Sequence, residues 1–363
     1  MMNILFFISG LGSGGAQRQI VELSIGFKKM GYGVRFLIYQ KKWSDYYCEH
    51  LHNNGIEIDG IYEDNYIKRI WKIRKYLRSN NFNVVIAFLE APSFIAELAT
   101  FPSKKWKLIV GERSADPAKQ TSLKLRSFLR FHVLADYVVA NSQANIDIIQ
   151  KIAPIVPKKK CKVIYNMYDV DNLKPAKNYK FYAQERFHLI IASSHRFLKN
   201  LNGLIEGVNL LSEDDRSKIK ISWYGNSKFD SSLDEGKQKI IHYGLEDVFS
   251  FHDPTLNIYD HMRNADAVGL FSFFEGLPNA ICEGMLLGKP IIVSKVSDIP
   301  LLFEKGAKGF LCEADKPKTI ADALSKILHC TPDELDSMGR DNHILASKLF
   351  NEKEILESYK SLF

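Results

Sequence analysis

Short apolar runs alternate with helix-period segments along almost the whole chain, and the alternation breaks once. In the first half "NILFFI", "VRFLIY", "NVVIAFL", "KLIVG", "DYVVANS" and "KVIYN" read as buried strands. A polar stretch with neither period follows at 172–186, "NLKPAKNYKFYAQER". The series then resumes with "HLIIASS", "KISWYG", "FSFH", "AVGLFSFF", "PIIVS" and "GFLC". Two β/α series joined by one linker predict an α/β protein of two doubly wound domains, not one long sheet. At 363 residues each domain has enough chain for a full core. The boundaries read as 1–175 and 176–349, with a closing segment at 350–363.

Ligands of such sheets lie beyond the carboxyl ends of the strands, so each strand-to-helix loop is a candidate site. The first loop carries Gly10, Gly12 and Gly15 at the G-x-G-x-x-G spacing. A dinucleotide site also needs a carboxylate about 20 residues on, at the end of the second strand. That strand, "GVRFLIY", runs into Gln40, Lys41 and Lys42, while Glu22 falls inside the first helix and Asp45 past the strand. The lysine pair suits a 2′-phosphate, which keeps an NADP-dependent oxidoreductase as one alternative. A tight strand-to-helix turn is another. A third is a flexible loop whose amides face an anionic or sugar ligand.

The richest loop is "GLFSFFEGLPNAICEGMLLGKPIIVS" at 269–294. A strand is expected to end near Phe274, and Glu275-Gly276-Leu277-Pro278-Asn279 turns the chain. Asn279 is placed to cap a helix from Ala280 to about Leu287, closed by Gly288. Glu275 then lies in the loop and Glu283 near the start of the helix. Ionised carboxylates are pure acceptors and suit hydroxyl-rich partners such as a ribose or hexose. They would repel a phosphate, so positive charge must come from elsewhere. "SSHRFLKN" supplies it through His195, Arg196 and Lys199, and the helix N-terminus adds a favourable dipole. A nucleotide diphosphate-sugar meets all of these requirements together.

With these residues in view, the chain resembles a retaining glycosyltransferase of family 4. Glu275 and Glu283 stand as that family's E-x7-E motif, and "SSHRFLKN" is similar to its G-R-x-x-x-K-N/G loop. "NMYDVDNL" is similar to its N-G-V-D segment, "GSGGAQR" to its glycine loop, and "FNEKEILESYKSLF" to its last helix. The resemblance implies the GT-B fold, two facing Rossmann-like domains with a cleft between them, and a last helix that packs back on the first domain. It implies transfer of a hexose or N-acetylhexosamine, from a nucleotide diphosphate-sugar that is UDP-linked, to a glycan or lipid-linked sugar, with retention and without a metal or other cofactor. Glu275, Arg196 and Lys199 are the implied catalytic residues. Glu283, Gly14, Gly15, Gly225, Gly276, Leu277 and Asn279 are the implied donor contacts. The family's N-terminal-domain histidine has no counterpart in "VGERSADP", so Glu112 is the candidate there, beside Arg113. A non-catalytic nucleotide-sugar-binding protein is the remaining alternative.

Charge and cysteine usage narrow the setting. The net charge of +7 is concentrated in acid-free stretches, "YIKRIWKIRKYLRSNNF" at 66–82 and "KQTSLKLRSFLRFH" at 119–132. Both stretches suit amphipathic helices packed on a sheet or an interface with anionic lipid or a phosphorylated acceptor. In the first, Ile67, Ile70, Trp71 and Leu77 can share a helical face, with Lys68, Arg69, Lys72 and Lys75 available to anionic lipid. No nucleic-acid module accompanies the charge, so nucleic acid is not an expected partner. Asp169-Val170-Asp171 matches a metal-diphosphate D-x-D, but its place at the linker entrance favours a structural role. His50, His52 and His132 read as surface or packing residues. The five scattered cysteines form no metal or C-x-x-C spacing, and the N-terminal apolar run is too short for a leader. A cytoplasmic protein, at the inner face of the membrane if the basic segment docks there, is the expectation.

Overall fold

A computed structural model describes residues 1–12, 14–41, 46–115, 117–182 and 185–363. Lys42 and Asp45, which entered the dinucleotide argument, lie outside the described residues. The chain divides into two compact units, Met1–Met167 with Glu352–Phe363, and Tyr168–Asn351.

The first unit holds strands β1 (Asn3–Phe7), β2 (Gly33–Ile38), β3 (Glu57–Gly60), β4 (Val84–Phe88), β5 (Lys107–Glu112), β6 (Tyr137–Ala140) and β7 (Cys161–Val163). They form one parallel sheet in the order β3-β2-β1-β4-β5-β6-β7. Its central strands are buried on both faces, which is why they read as unbroken apolar runs. β3 was not legible that way. "EIDG" is a short edge strand whose acids meet Arg35 of β2, at 3.2 Å from Glu57 and 3.0 Å from Asp59. The final helix, Glu352–Lys360, belongs to this unit; Ile355, Leu356 and Tyr359 join its core, and Phe363 meets Phe27 at 5.1 Å.

The second unit holds β8 (Phe187–Ala192), β9 (Ile219–Tyr224), β10 (Phe249–His252), β11 (Ala267–Leu270), β12 (Ile291–Ser294) and β13 (Gly309–Cys312). These are also all parallel, in the order β10-β9-β8-β11-β12-β13. The described part of 172–186 has no helix or strand, yet it is packed down. Buried Asp266 accepts from Tyr179 Oη at 2.8 Å, from Tyr182 N at 2.9 Å and from His188 N at 2.7 Å.

The order of each sheet reverses at a switch point, between β1 and β4 in the first and between β8 and β11 in the second. Such points open a crevice beyond the strand ends. The loop carrying Arg196 and Lys199 leaves β8, and the loop carrying Glu275 leaves β11. Strand order therefore brings together two loops that lie far apart in sequence.

Candidate active site

β11 ends at Leu270, four residues before the expected point. The residues beyond it leave the ladder because the β8 loop and β12 claim their backbone. Asn200 Nδ2 donates to Phe271 O at 3.2 Å, Phe273 N to Leu198 O at 2.9 Å, and Ser294 Oγ to Ser272 O at 2.7 Å. Asn200 sits in the left-handed region (φ 59°) and caps the helix Leu201–Asn209 through Gly203 N. The two loops are thus sewn together by one backbone bond and the Asn200 side-chain amide before any charge is considered.

On that frame Lys199 Nζ donates to Glu275 Oε1 at 2.5 Å, and Ser272 Oγ donates to the same oxygen at 2.7 Å. Both contacts fall on Oε1. The pair is partly open, with 15% and 14% of the two side chains exposed. An ammonium has three donors, so Lys199 can hold Glu275 and still meet an anion. The Arg196 guanidinium lies over the Phe229 ring at 5.2 Å, and its Nε is buried without a partner among the described residues.

The next helix is Asn279–Leu286, and here one expectation is corrected. Asn279 is its first residue, not its cap; Pro278 holds the cap position and offers no side-chain bond. The reason is that Asn279 Oδ1 is taken by Tyr168 Oη at 2.6 Å. The helix has no acid in its first turn, so its N-terminal field is uncancelled there. Glu283 is buried within the helix, and Tyr259 Oη donates to its Oε1 at 3.2 Å. Leu277 is buried, and Gly276 O accepts from Ser297 Oγ. Gly288 follows the helix at φ 70°, a conformation that a Cβ would strain.

Gly225 ends the β9 segment for a steric reason: a Cβ there would lie 1.9 Å from Ser193 O. Its absence lets the loops after β8 and β9 touch. His195 is buried against Trp223 and Phe251, and burial pushes its pKa down. Tyr224 is stacked between His252 and His261, with centroids at 4.4 and 4.7 Å. Sequence reasoning missed Tyr168, Ser272 and Tyr259, because nothing in their spacing marks them. Only Ser272, three residues before Glu275, had local proximity as a signal.

In the first unit Gly14 caps the helix Gly15–Lys29 and Gly15 opens it, at the switch-point end of β1. Glu112 closes β5 but points into the interior. It is buried with Lys119 and His132, both in the acid-free basic stretch 119–132. Lys119 Nζ meets Glu112 Oε2 and lies 3.1 Å from Glu90, while His132 Nε2 lies 3.3 Å from Glu112 and Nδ1 2.6 Å from Glu97. Burial alone would raise the Glu112 pKa, but the charges of Lys119 and His132 overcome it and hold the group at about 2. Burial would likewise lower His132, yet Glu97 and Glu112 push it up to about 10. Burial pushes Glu97 up. Lys119 Nζ also donates to Ser114 O at 2.8 Å, so the cluster anchors the loop after β5. Arg113 turns away, to Tyr359 Oη and, at 3.3 Å, to Asn166.

Two further readings change in detail. On the helix Tyr66–Ser79, Ile73 and Leu77 face the core, whereas Ile67 and Trp71 are 66% and 65% exposed. The apolar face read from sequence is therefore split, because the core arc runs through Ile73 and not through Ile67. Lys68, Lys72 and Lys75 share the outer arc, while Arg69 stacks on Tyr39 at 4.7 Å. Asp169 forms a turn, accepting from Asn172 N at 3.1 Å and Nδ2 at 2.6 Å. Among the described residues no group of three His, Cys, Asp or Glu is placed to hold a metal ion, and no helix is long and apolar enough to cross a membrane.

Two parallel sheets of this order define the GT-B class, and solved structures bear the fold out. Anabaena HepE, in complex with UDP, superimposes with a TM-score of 0.85 at 19% identity over 99% of each chain. Family models match in tandem: Glycosyltransferase Family 4 over 13–172 and Glycosyl transferases group 1 over 186–330. The chain belongs to the family 4-like glycosyltransferases, enzymes of glycan biosynthesis, and this displaces the oxidoreductase alternative. One relative is the Campylobacter jejuni N-acetylgalactosamine-N,N'-diacetylbacillosaminyl-diphospho-undecaprenol 4-alpha-N-acetylgalactosaminyltransferase, 22% identical over 98% of this chain and 97% of that protein. Another is the Bacillus anthracis N-acetyl-alpha-D-glucosaminyl L-malate synthase, 24% identical over 66% of this chain and 62% of that protein.

Proposed function

We propose that this glycosyltransferase moves a hexose or N-acetylhexosamine from a UDP-sugar to a lipid-linked glycan, with retention and without a metal. The observation that carries the reading is the Lys199–Glu275 pair, fixed at the switch point beside the start of the helix Asn279–Leu286. The UDP and UDP-glucose complexes of Anabaena HepE support the donor, and the diphospho-undecaprenol named for the Campylobacter relative supports the acceptor.

In this mechanism the bond from the anomeric carbon to the β-phosphate oxygen breaks as the acceptor oxygen approaches from the same face. The acceptor proton passes to the departing phosphate oxygen. Arg196, Lys199 and the amides at Gly276, Leu277 and Asn279 stabilise the charge that grows on the diphosphate. Glu275 accepts from sugar hydroxyls while Lys199 fixes its rotamer. Glu283 accepts from the ribose, steadied by Tyr259. Glu112 is a positioning residue, acting through Lys119 on the loop after β5. The outer arc of Tyr66–Ser79, with Trp71 and Ile67 beside Lys68 and Lys75 and with Lys72 paired to Glu63, docks on anionic lipid at the cytoplasmic face of the membrane.

A panel of UDP- and GDP-sugars tests this, read by release of free nucleotide with and without a lipid-linked acceptor, in excess EDTA. Acceptor-dependent release from a UDP-hexose or UDP-N-acetylhexosamine, with an α-linked product from an α-linked donor, is expected. Release from GDP-sugars alone, or restoration of activity only by manganese, overturns the reading.

A further inference from the structure

Tyr168 opens the second unit and Asn351 closes it. The two ends are held together. Tyr168 and Asn351 form an isolated parallel bridge, Tyr168 N donates to Phe350 O at 3.2 Å, and the Tyr168 ring meets Phe350 edge-on at 5.6 Å. The same side chain, only 2% exposed, crosses to the donor helix, where its hydroxyl donates to Asn279 Oδ1 at 2.6 Å and lies beside the Cys282 thiol. On the other side of the peptide bond, Met167 is gripped at both polar atoms by the Gln19 amide, at 2.7 and 3.1 Å. The Tyr168 backbone is bridged and its ring is packed, so a shift of Asn279 either carries the hydroxyl and the junction with it or breaks the bond.

We infer that Tyr168 is a positioning residue that couples donor occupancy to the chain junction. An anion drawn to the first amides of Asn279–Leu286 loads the residue whose side chain Tyr168 holds, and the load passes to the bridge with Asn351. The inference rests on the proposed donor site. It assigns Tyr168 no contact with substrate. Its role is to make the two ends of the unit respond together when UDP binds.

Hydrogen exchange with and without UDP, alongside titration calorimetry and steady-state kinetics, tests it in the wild type, Tyr168→Phe and Asn279→Ala. In the wild type, UDP slows exchange in 276–286 and also in 168–170 and 349–351. Tyr168→Phe keeps the ring and still binds UDP, but protection is confined to 276–286. Its kcat falls about fivefold with donor KM little changed, the scale of one neutral hydrogen bond. Asn279→Ala removes the same bond from its other end and loses the junction protection too, and the double variant loses no more than either single one. Equal junction protection in Tyr168→Phe and wild type overturns the coupling while leaving the donor site intact. So does UDP binding to the wild type that leaves the junction unchanged. Absence of UDP binding to the wild type overturns the donor site and the inference together.

Discussion

Two carboxylate–lysine pairs sit near strand ends in this molecule, and they do opposite things. Glu275 and Lys199 meet in an opening at the β8–β11 switch point, partly in contact with solvent. Glu112 and Lys119 meet at the end of β5 with no exposure worth the name, closed off by His132, Glu97 and Glu90. The residue types are the same and both contacts are short. The difference lies in what can reach them. An accessible pair keeps donors and lone pairs for a ligand, whereas a sealed pair has all of them committed to its neighbours. A strand-end Glu–Lys contact becomes a site through access, not through charge.

The comparison is most directly broken in the sealed cluster. Lys119→Met leaves three carboxylates facing one imidazolium in the interior and is expected to cost about 3–5 kcal/mol of stability, read as a fall in urea midpoint. A cost below about 1 kcal/mol, the size of a surface pair, would show the cluster to be hydrated. The same cluster sets a pH window. Glu112 is depressed on folding, so its contribution is complete above its ordinary range near pH 4.5 and is lost as pH falls toward 2. His132 is raised, so its contribution is complete below about pH 6.5 and is lost as pH rises through about 10. The Glu112 part of the stability should therefore decline below about pH 4.5 and the His132 part above about pH 6.5, and His132→Gln should flatten the alkaline limb.

The open pair should show the reverse pattern. Lys199→Ala is expected to cost about 2.7–4 kcal/mol in transfer with little change in urea midpoint, because its partner is reached by water. A lowered urea midpoint with turnover close to the wild type would move Lys199 into the structural class of Lys119. A smaller effect is expected at Glu283, where alanine should weaken UDP binding by about 1.5–3 kcal/mol in calorimetry. Reversal of Lys68, Lys72 and Lys75 should have the smallest effect per residue, about 1 kcal/mol each in binding to anionic vesicles. That loss should vanish as salt is raised, and equal co-sedimentation of the reversed protein at low salt would return the outer arc to plain solvent.

Much of this architecture is legible in the chain alone. Among the described residues the apolar runs announce twelve of thirteen strands, and the central ones read most plainly because parallel strands covered on both faces leave no alternation to confuse them. The exception, "EIDG", is an edge strand that needs Arg35 as much as burial. The Glu275 and Glu283 loop is legible through turn chemistry and helix punctuation, and the Arg196–Lys199 loop through the need to balance an anion. Less legible is what each side chain does once placed. Lys119 and His132 sit in a stretch whose charge suggests a surface, yet they are interior residues. Arg69 looks like its neighbouring lysines but is turned onto Tyr39.

By itself the sequence determined the two β/α series, the loops that bear chemistry and the kind of ligand those loops suit, since periodicity, turn residues and charge act over a few positions. Tertiary structure alone decided that Lys199 meets Glu275, that Asn279 answers to Tyr168 instead of capping its helix, and that Glu112 is sealed while Glu275 is open. The first two are contacts between segments 76 and 111 residues apart. Their partners are chosen by strand order and by which surfaces remain exposed after packing, and neither quantity is written in any local window of the chain.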